Sequence, residues 1–393
     1  MKDISSIVRG LIMVLFIIAG GCLAVVCMAQ STQPSRPPEP PFWRQFVFDG
    51  DPVVDWNNPI DAPKRVWCMT NWTIPGYVAK VPDAYVGRYV RIAAAEPIDK
   101  PIEVWQDSPI VRDTRWFLRN ADGSYASWSQ AYPSPILDIS QKQVRRFQVA
   151  WWLMVVKQAR GISLDEGGFH PDTPLAKAVR CDEAGTGAML GLDGAVNAQL
   201  ALVGDYIRER GLGGPRITFN LGTDDILRRW AQLLAELEPG DGLMDETGFA
   251  YPPSDMAKRP AWFKQRIDAW RLALDHGCEV LVTSYGVRSL EGAKLLYAAI
   301  CLTYKPGEER RLLGSPAMTT RGFSPNIEPD RKPYSFYYWQ RDLGPPKGPA
   351  VWVGSAVLRV FQGPMRNNYV MVNLGVSPPV VYVEINGREA KGN

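Results

Sequence analysis

The sequence predicts an α/β fold: a (β/α)8 TIM barrel followed by a small C-terminal antiparallel β-domain. Three observations indicate this. Short apolar runs alternate with stretches of helical periodicity, which is typical of a parallel sheet covered by helices. The number of these units favours a closed barrel over an open sheet. After Gly348, β-rich runs follow one another with no helical stretch between them.

The predicted barrel strands are apolar along most of their length, as expected for strands that are buried on both faces. In chain order they are residues 65–70, 88–93, 102–106, 161–165, 216–220, 241–245, 278–284 and 334–338. The predicted strands of the C-terminal sheet are residues 357–361, 369–374 and 380–385.

The predicted helices follow from residue spacing and from stop signals. Val144, Phe147 and Trp151 recur at helical spacing, and Gly211 and Gly277 are suitable helix ends. The helices are expected at residues 141–160, 193–210, 223–237, 261–276 and 290–304.

The first 29 residues predict an export signal. Lys2 and Arg9 give a basic start, and residues 10–29 are uncharged and end in small residues. The uncharged stretch also reaches the ~20 residues of a membrane span, so an uncleaved membrane anchor is an alternative. Lipid attachment at Cys22 is a third interpretation. Each places the rest of the chain outside the cytoplasm, either secreted or periplasmic.

The remaining chain divides into three predicted parts. Residues 30–41 form a proline-rich linker that cannot bury enough apolar surface to order itself. The barrel is expected over residues 42–345 and the antiparallel β-domain over 346–393. A net charge of +3 with no run of Lys or Arg predicts no nucleic-acid partner.

Cysteine and histidine usage argues against a metal site. The cysteines beyond the signal are Cys68, Cys181, Cys278 and Cys301, and none is at CxxC spacing. Cys278 and Cys301 lie in apolar runs and are expected to be buried free thiols. Only two histidines occur, so a histidine-based metal site is not expected. His170 leaves another kind of hydrolase or esterase open, although no GxSxG sequence supports it.

Two segments carry the strongest chemical signal. Residues 164–169 (LDEGGF) and 244–249 (MDETGF) each place an Asp-Glu pair where an apolar strand meets a loop. In a parallel barrel this is the C-terminal face, where the active sites of such enzymes lie. Glycosidic bond cleavage needs two carboxyl groups, which these strand ends could supply. The alternative is that the acids cap helices or pair with arginine.

Other polar and aromatic residues are candidates for substrate contact. Asn220 ends a third strand at the same rim and could bind a sugar hydroxyl or close a loop. Trp72, Trp105 and Tyr285 lie near strand ends, and their flat faces suit stacking on sugar rings. Asp138 is expected to cap a helix.

From Trp116 to Val383 the chain resembles the glycoside-hydrolase-like (β/α)8-barrel family related to endo-α-1,4-polygalactosaminidases. The segments that carry the resemblance are residues 116–119 (WFLR), 122–123 (DG), 137–140 (LDIS), 144–145 (VR), 161–165 (GISLD), 220–222 (NLG), 241–244 (DGLM) with Glu246, 343–346 (LGPP), 358–361 (LRVF) and 370–373 (VMVN). The resemblance implies that Asp165 and Glu246 are the catalytic pair. Since both strand ends carry Asp-Glu, Glu166 and Asp245 remain rivals and are expected to bind substrate.

The functional hypothesis is a secreted glycoside hydrolase that cleaves a polysaccharide or oligosaccharide by a retaining mechanism, without metal or cofactor. Asp165 would be the nucleophile or a charge stabiliser, and Glu246 the general acid/base. The alternative is a non-catalytic carbohydrate-binding barrel. That alternative predicts acids that are paired with Arg or Lys and face away from the cleft.

Overall fold

The computed structural model describes residues 46–48, 65–68, 85–93, 114–129, 132–156, 159–165, 172–181, 187–221, 225–246, 248–249, 252–283, 290–308, 311–315, 343–386 and 388–389. The chain divides into two compact units, Met1–Pro40 and Pro41–Asn393, and every described residue belongs to the second. The predicted signal and linker lie outside the described residues. Across the described ranges, no helix has the length and apolar character needed to span a membrane.

The described strands are β1 (Phe46–Phe48), β2 (Arg65–Cys68), β3 (Tyr85–Arg91), β4 (Ser127–Ser129), β5 (Tyr132–Pro135), β6 (Gly161–Asp165), β7 (Val179–Cys181), β8 (Gly187–Met189), β9 (Arg216–Asn220), β10 (Gly242–Asp245), β11 (Glu279–Thr283), β12 (Leu312–Ser315), β13 (Val351–Val353), β14 (Ala356–Gln362), β15 (Asn367–Asn373), β16 (Val380–Ile385) and β17 (Arg388–Glu389). The described α-helices are α1 (Lys142–Val155), α2 (Pro174–Lys177), α3 (Gly191–Arg210), α4 (Ile226–Leu234), α5 (Arg259–His276) and α6 (Leu290–Thr303). The main helices agree with the predicted ones, and Gly277, with φ of 93°, ends α5 as expected.

Eight of the strands form one parallel sheet in the order β1-β2-β3-β6-β9-β10-β11-β12. All seven neighbouring pairs are parallel. Cα atoms of β1 and β12, the two ends of this order, lie within 8 Å of each other. The predicted parallel sheet is therefore confirmed, and its first and last strands are close in space.

The two end strands of the parallel sheet were not among the eight predicted strands. The sheet begins at β1 and ends at β12, neither of which was predicted. The strands predicted at residues 102–106 and 334–338 lie outside the described residues. β1 has three residues and β12 has four, and runs this short carry too little periodicity to be recognised. Gly161–Asp165 is the fourth strand in the sheet order, as predicted. β1 adds one strand before the predicted first strand, and β3 pairs directly with β6, so the position of this strand in the order is unchanged.

The two faces of the sheet differ in chemistry. Leu164 and Phe219 belong to the apolar core that includes the helices. Side chains alternate between the faces of a strand, so Ser163, Thr218 and Asn220 lie on the opposite face, away from the helices, which we call the inner face. Those three residues are buried and polar. The apolar core therefore lies between sheet and helices, and the inner face carries polar groups.

The second sheet is antiparallel, with five strands in the order β13-β14-β15-β16-β17. This confirms an antiparallel sheet at the C-terminus. Val357 and Phe361 on β14 and Val370 and Val372 on β15 are buried in alternation with more exposed neighbours. The sheet packs on α6 through this buried face.

Cys278 and Cys301 are buried free thiols, as predicted. Burial raises the pKa of the Cys278 thiol to about 12, and it raises that of Cys301 to about 12. Both therefore stay protonated and unreactive at neutral pH. Among the described residues, no group of three or more His, Cys, Asp or Glu side chains could hold a metal ion.

Arg359 on β14 ties the second sheet to the end of α6. Its Nη1 donates to the carbonyl oxygens of Cys301 (2.8 Å) and Tyr304 (2.6 Å), and its Nε donates to Gly348 O (2.9 Å). The guanidinium also lies 5.4 Å from the centre of the Tyr304 ring. A cation at these last carbonyls complements the negative end of the helix dipole.

We expect Arg359→Met to destabilise the chain by about 3 kcal/mol, because buried carbonyl oxygens would lose a charged donor. Denaturant unfolding measures this change. The control is Arg366→Met, which removes an exposed arginine that donates to Asn386 O in the same sheet. It should cause no measurable change. Equal stabilities of the two variants would contradict the role given to Arg359.

Candidate active site

Three neighbouring strands of the parallel sheet end in polar residues. Asp165 is the last residue of β6 and Asn220 is the last of β9, while Glu246 directly follows β10. The register pairs Leu164 with Phe219 and Asn220 with Met244, so the three strands end at nearly the same level. Because the strands are parallel, the backbones of these residues lie at one rim, the C-terminal rim of the sheet.

Asn220 and Glu246 are joined at this rim. The Asn220 side-chain Nδ2 donates to Glu246 Oε2 at 2.6 Å. Asn220 is only 6% exposed, whereas Glu246 is partly exposed. A hydrogen bond to a carboxylate is stronger than one between neutral groups, so the amide fixes the orientation of this carboxylate. The sequence predicted that Asn220 binds a sugar hydroxyl or closes a loop; in the structure its amide donates to the candidate acid.

Asp245 faces the other way. It is 0% exposed and accepts hydrogen bonds from Arg266 Nη1 at 2.7 and 2.8 Å. It also accepts from Trp270 Nε1 at 3.1 Å and from the Gly248 backbone N–H at 3.0 Å. Arg266 and Trp270 lie on α5, on the outer face of the sheet. The expected substrate contact for Asp245 does not fit this geometry, because its oxygens are enclosed by an ion pair.

These contacts determine the direction of the next side chain along the chain. With Asp245 directed outward to α5, the next side chain, that of Glu246, lies on the inner face beside Asn220. The two acids of the MDETGF segment therefore have separate roles: one is structural, and the other is accessible at the rim.

Sequence reasoning missed Arg91, a cation at the same rim. Arg91 ends β3, is 4% exposed, and its Cα is the register partner of the Cα of Asp165. Its neighbours Val90 and Ile92 belong to the apolar core, so alternation places Arg91 on the inner face. Residues 88–93 were predicted as an apolar strand. The alternation of Tyr89 and Arg91 with apolar residues was the signal that could have indicated a polar inner face.

Several predicted site residues cannot be located. Glu166, Trp72, Trp105, Tyr285 and His170 lie outside the described residues, and their roles remain predictions.

Asp138 has a structural role, but it does not cap α1 as expected, because Gln141 is the N-cap residue and has no side-chain cap. It accepts from the backbone N–H and hydroxyl of Ser140 and, at 2.8 Å, from Gln141 Nε2, which organises the turn before α1.

Within the described ranges, His276 is the one histidine, and it lies far from the rim. It is the last residue of α5, a helix that begins near the rim and returns to the start of β11. Its Nε2 lies 3.0 Å from Leu237 O. His276 thus belongs to the opposite end of the sheet from Glu246.

No family model and no curated protein matches the chain. The chain is similar to the solved structure of an α-amylase from Geobacillus thermoleovorans complexed with acarbose, at 9% identity over 89% of this chain and 95% of that chain, with a TM-score of 0.40. It is similar to an α-amylase from Malbranchea cinnamomea at 10% identity over 84% of this chain and 88% of that chain, with a TM-score of 0.41. It is also similar to a cycloalternan-degrading enzyme from Trueperella pyogenes, at 12% identity over 77% of this chain and 46% of that chain, with a TM-score of 0.39. These likenesses are remote, so function is argued from the site itself.

Substitution of Arg266 tests how much the buried ion pair contributes to the folding free energy. Arg266→Met leaves the carboxylate of Asp245 buried without its cation, and we expect a loss of about 3–5 kcal/mol of folding free energy. Unfolding in denaturant measures the loss. Arg228→Met, which breaks an exposed pair with Asp225, should cause no measurable change. A cost for Arg266→Met no larger than that of this control would contradict the structural role of the pair.

Proposed function

We propose that this chain is a glycoside hydrolase whose parallel sheet closes into a (β/α)8 barrel, with its active site at the C-terminal rim of β6, β9 and β10. The observation that carries the proposal is the hydrogen bond between Asn220 and Glu246 on the inner face, one strand away from the end of β6 at Asp165. Barrel enzymes hold their catalytic residues at this rim. The nearness of β1 to β12 supports barrel closure.

In the proposed mechanism Asp165 and Glu246 divide the work of a retaining glycosidase. Glu246 gives its proton to the glycosidic oxygen as the bond to the anomeric carbon breaks, and Asp165 forms a covalent bond to that carbon. Glu246 then removes a proton from water, which attacks the same carbon and releases Asp165. Asn220 holds Oε2 of Glu246 throughout, so that the carboxyl group meets the leaving oxygen in one orientation.

The directions in which Asp245 and Glu246 face favour catalysis over carbohydrate binding alone. A binding-only barrel predicts acids that pair with arginine and face away from the cleft, and Asp245 meets that description. Glu246 differs in direction, because it lies on the inner face and accepts a hydrogen bond from the Asn220 amide there. The alternative of an esterase or another kind of hydrolase depends on His170, which lies outside the described residues, and it stays a prediction.

The proposed substrate is a polysaccharide or oligosaccharide met outside the cytoplasm. The basic and apolar N-terminal segment supports export, with the mature chain secreted, periplasmic or held by that segment at a membrane. Trp72, Trp105 and Tyr285 are proposed to stack on sugar rings, and Glu166 to bind hydroxyl groups. The reaction as written needs no metal or cofactor.

The test compares four proteins on a panel of polysaccharides. Glu246→Gln should lower turnover by about 10²–10⁴-fold, because general acid–base catalysis contributes that much. Asp165→Asn should lose at least as much, since an amide cannot form the glycosyl intermediate. Asp268→Asn is the matched control: it removes an acid on α5 that pairs with Lys264, and it should keep full activity. Release of reducing ends measures turnover, and calorimetry measures binding.

Two results would contradict the proposal. Full activity in the Glu246→Gln variant would show that the Glu246 carboxyl group has no part in the mechanism. Binding of a glycan by the parent protein, with no turnover of any glycan, would support the carbohydrate-binding alternative.

A further inference from the structure

Arg259 joins the segment that follows Glu246 to the C-terminal sheet. It is the first residue of α5 and is 5% exposed. Its Nε donates to Pro253 O at 2.7 Å, within the segment between β10 and α5. Its Nη1 donates to Val376 O at 2.9 Å, and its Nη2 donates to Ser377 Oγ at 3.3 Å. Both of these acceptors lie in the turn between β15 and β16, so one guanidinium bridges the two parts.

A line of aromatic rings makes a second, independent connection. Phe249, three residues after Glu246, is buried, and its ring centre lies 4.6 Å from that of Phe263 on α5. Phe263 in turn lies 6.3 Å from Trp352, edge to face. Trp352 belongs to β13, the first strand of the C-terminal sheet. The segment that follows Glu246 therefore contacts this sheet through both polar and aromatic groups.

The same segment is also fixed at its start. The Gly248 backbone N–H donates to Asp245 Oδ1 at 3.0 Å, two residues after Glu246. The described residues 248–249 and 252–258 are thus held by Asp245 at one end and by Arg259 at the other. Asp245 directly precedes Glu246 in the chain and Arg259 follows the segment, so these contacts hold the backbone at both ends of it.

We propose that Arg259 is a positioning residue and that the C-terminal antiparallel sheet helps to hold Glu246 in its working orientation. The inference rests on the proposed function of Glu246 and adds to it a role for the second sheet. The guanidinium suits this role because its planar set of donors reaches acceptors in both parts at once. A lysine is a compact cation and cannot reproduce that geometry.

The test uses the full chain and two readouts. Amide hydrogen exchange reports on residues 246–258 and 370–380, and steady-state kinetics on a glycan substrate give kcat and KM. In Arg259→Met we expect faster exchange in both segments. We also expect kcat to fall by up to about 10²-fold with KM unchanged, because misplacement of a catalytic group has this effect. Arg259→Lys should resemble Arg259→Met. The matched control, Lys258→Met, removes a neighbouring exposed cation and should change neither readout.

Should Arg259→Met fail to fold, Ser377→Ala removes one of the same hydrogen bonds and should act in the same direction with a smaller effect. Unchanged exchange in residues 246–258 would overturn the inference. So would an unchanged kcat alongside faster exchange in that segment. A parent protein that turns over no glycan overturns the proposed function itself, whereas an active parent with a fully active Arg259→Met variant overturns this inference alone.

Discussion

The buried ion pair between Asp245 and Arg266 is the constraint on which the site depends. Removing two charges from water is costly, so such a pair persists only with good geometry and further hydrogen bonds. Here Trp270 and the Gly248 backbone N–H supply them. The pair fixes which way the end of β10 faces. Since neighbouring side chains on a strand alternate, it directs Glu246 to the inner face beside Asn220.

A second pair fixes the other end of the same strand. Arg210 on α3 donates to Asp241, just before β10, at 2.7 and 2.8 Å, and Asp241 also accepts from the Ile217 backbone N–H at 3.0 Å. Burial alone would lower the pKa of Arg210, but its hydrogen bonds and charge contacts with Asp241 and Glu238 raise it. β10 is therefore held at both ends by an aspartate–arginine pair to a neighbouring helix. A short strand of four residues becomes a rigid support for the residue that follows it.

The sequence predicted the parts of the fold that carry strong local patterns. The strands at 161–165 and 216–220 and the long helix between them were predicted because periodicity and glycine stops are local. β1 and β12 were missed, since a run of three or four residues has no usable period. The candidate rim was predicted from the Asp-Glu pairs, and the resemblance implied that Glu246 is catalytic, but pairing of an acid with arginine was given only as an alternative. Asp245 and Glu246 are adjacent acids, and only the fold brings Arg266, 21 residues later, to one of them. Arg259 was missed for the same reason, because its acceptors Val376 and Ser377 are distant in the sequence.

The most direct test of the central claim is the distance between the carboxyl groups of Asp165 and Glu246 in a crystal structure with a glycan bound at the rim. A retaining glycosidase on this site predicts a separation of about 5–5.5 Å across the glycosidic bond. A separation of about 6.5–9.5 Å would contradict the retaining mechanism. Carboxyl groups on opposite faces of the sheet would contradict the active site itself.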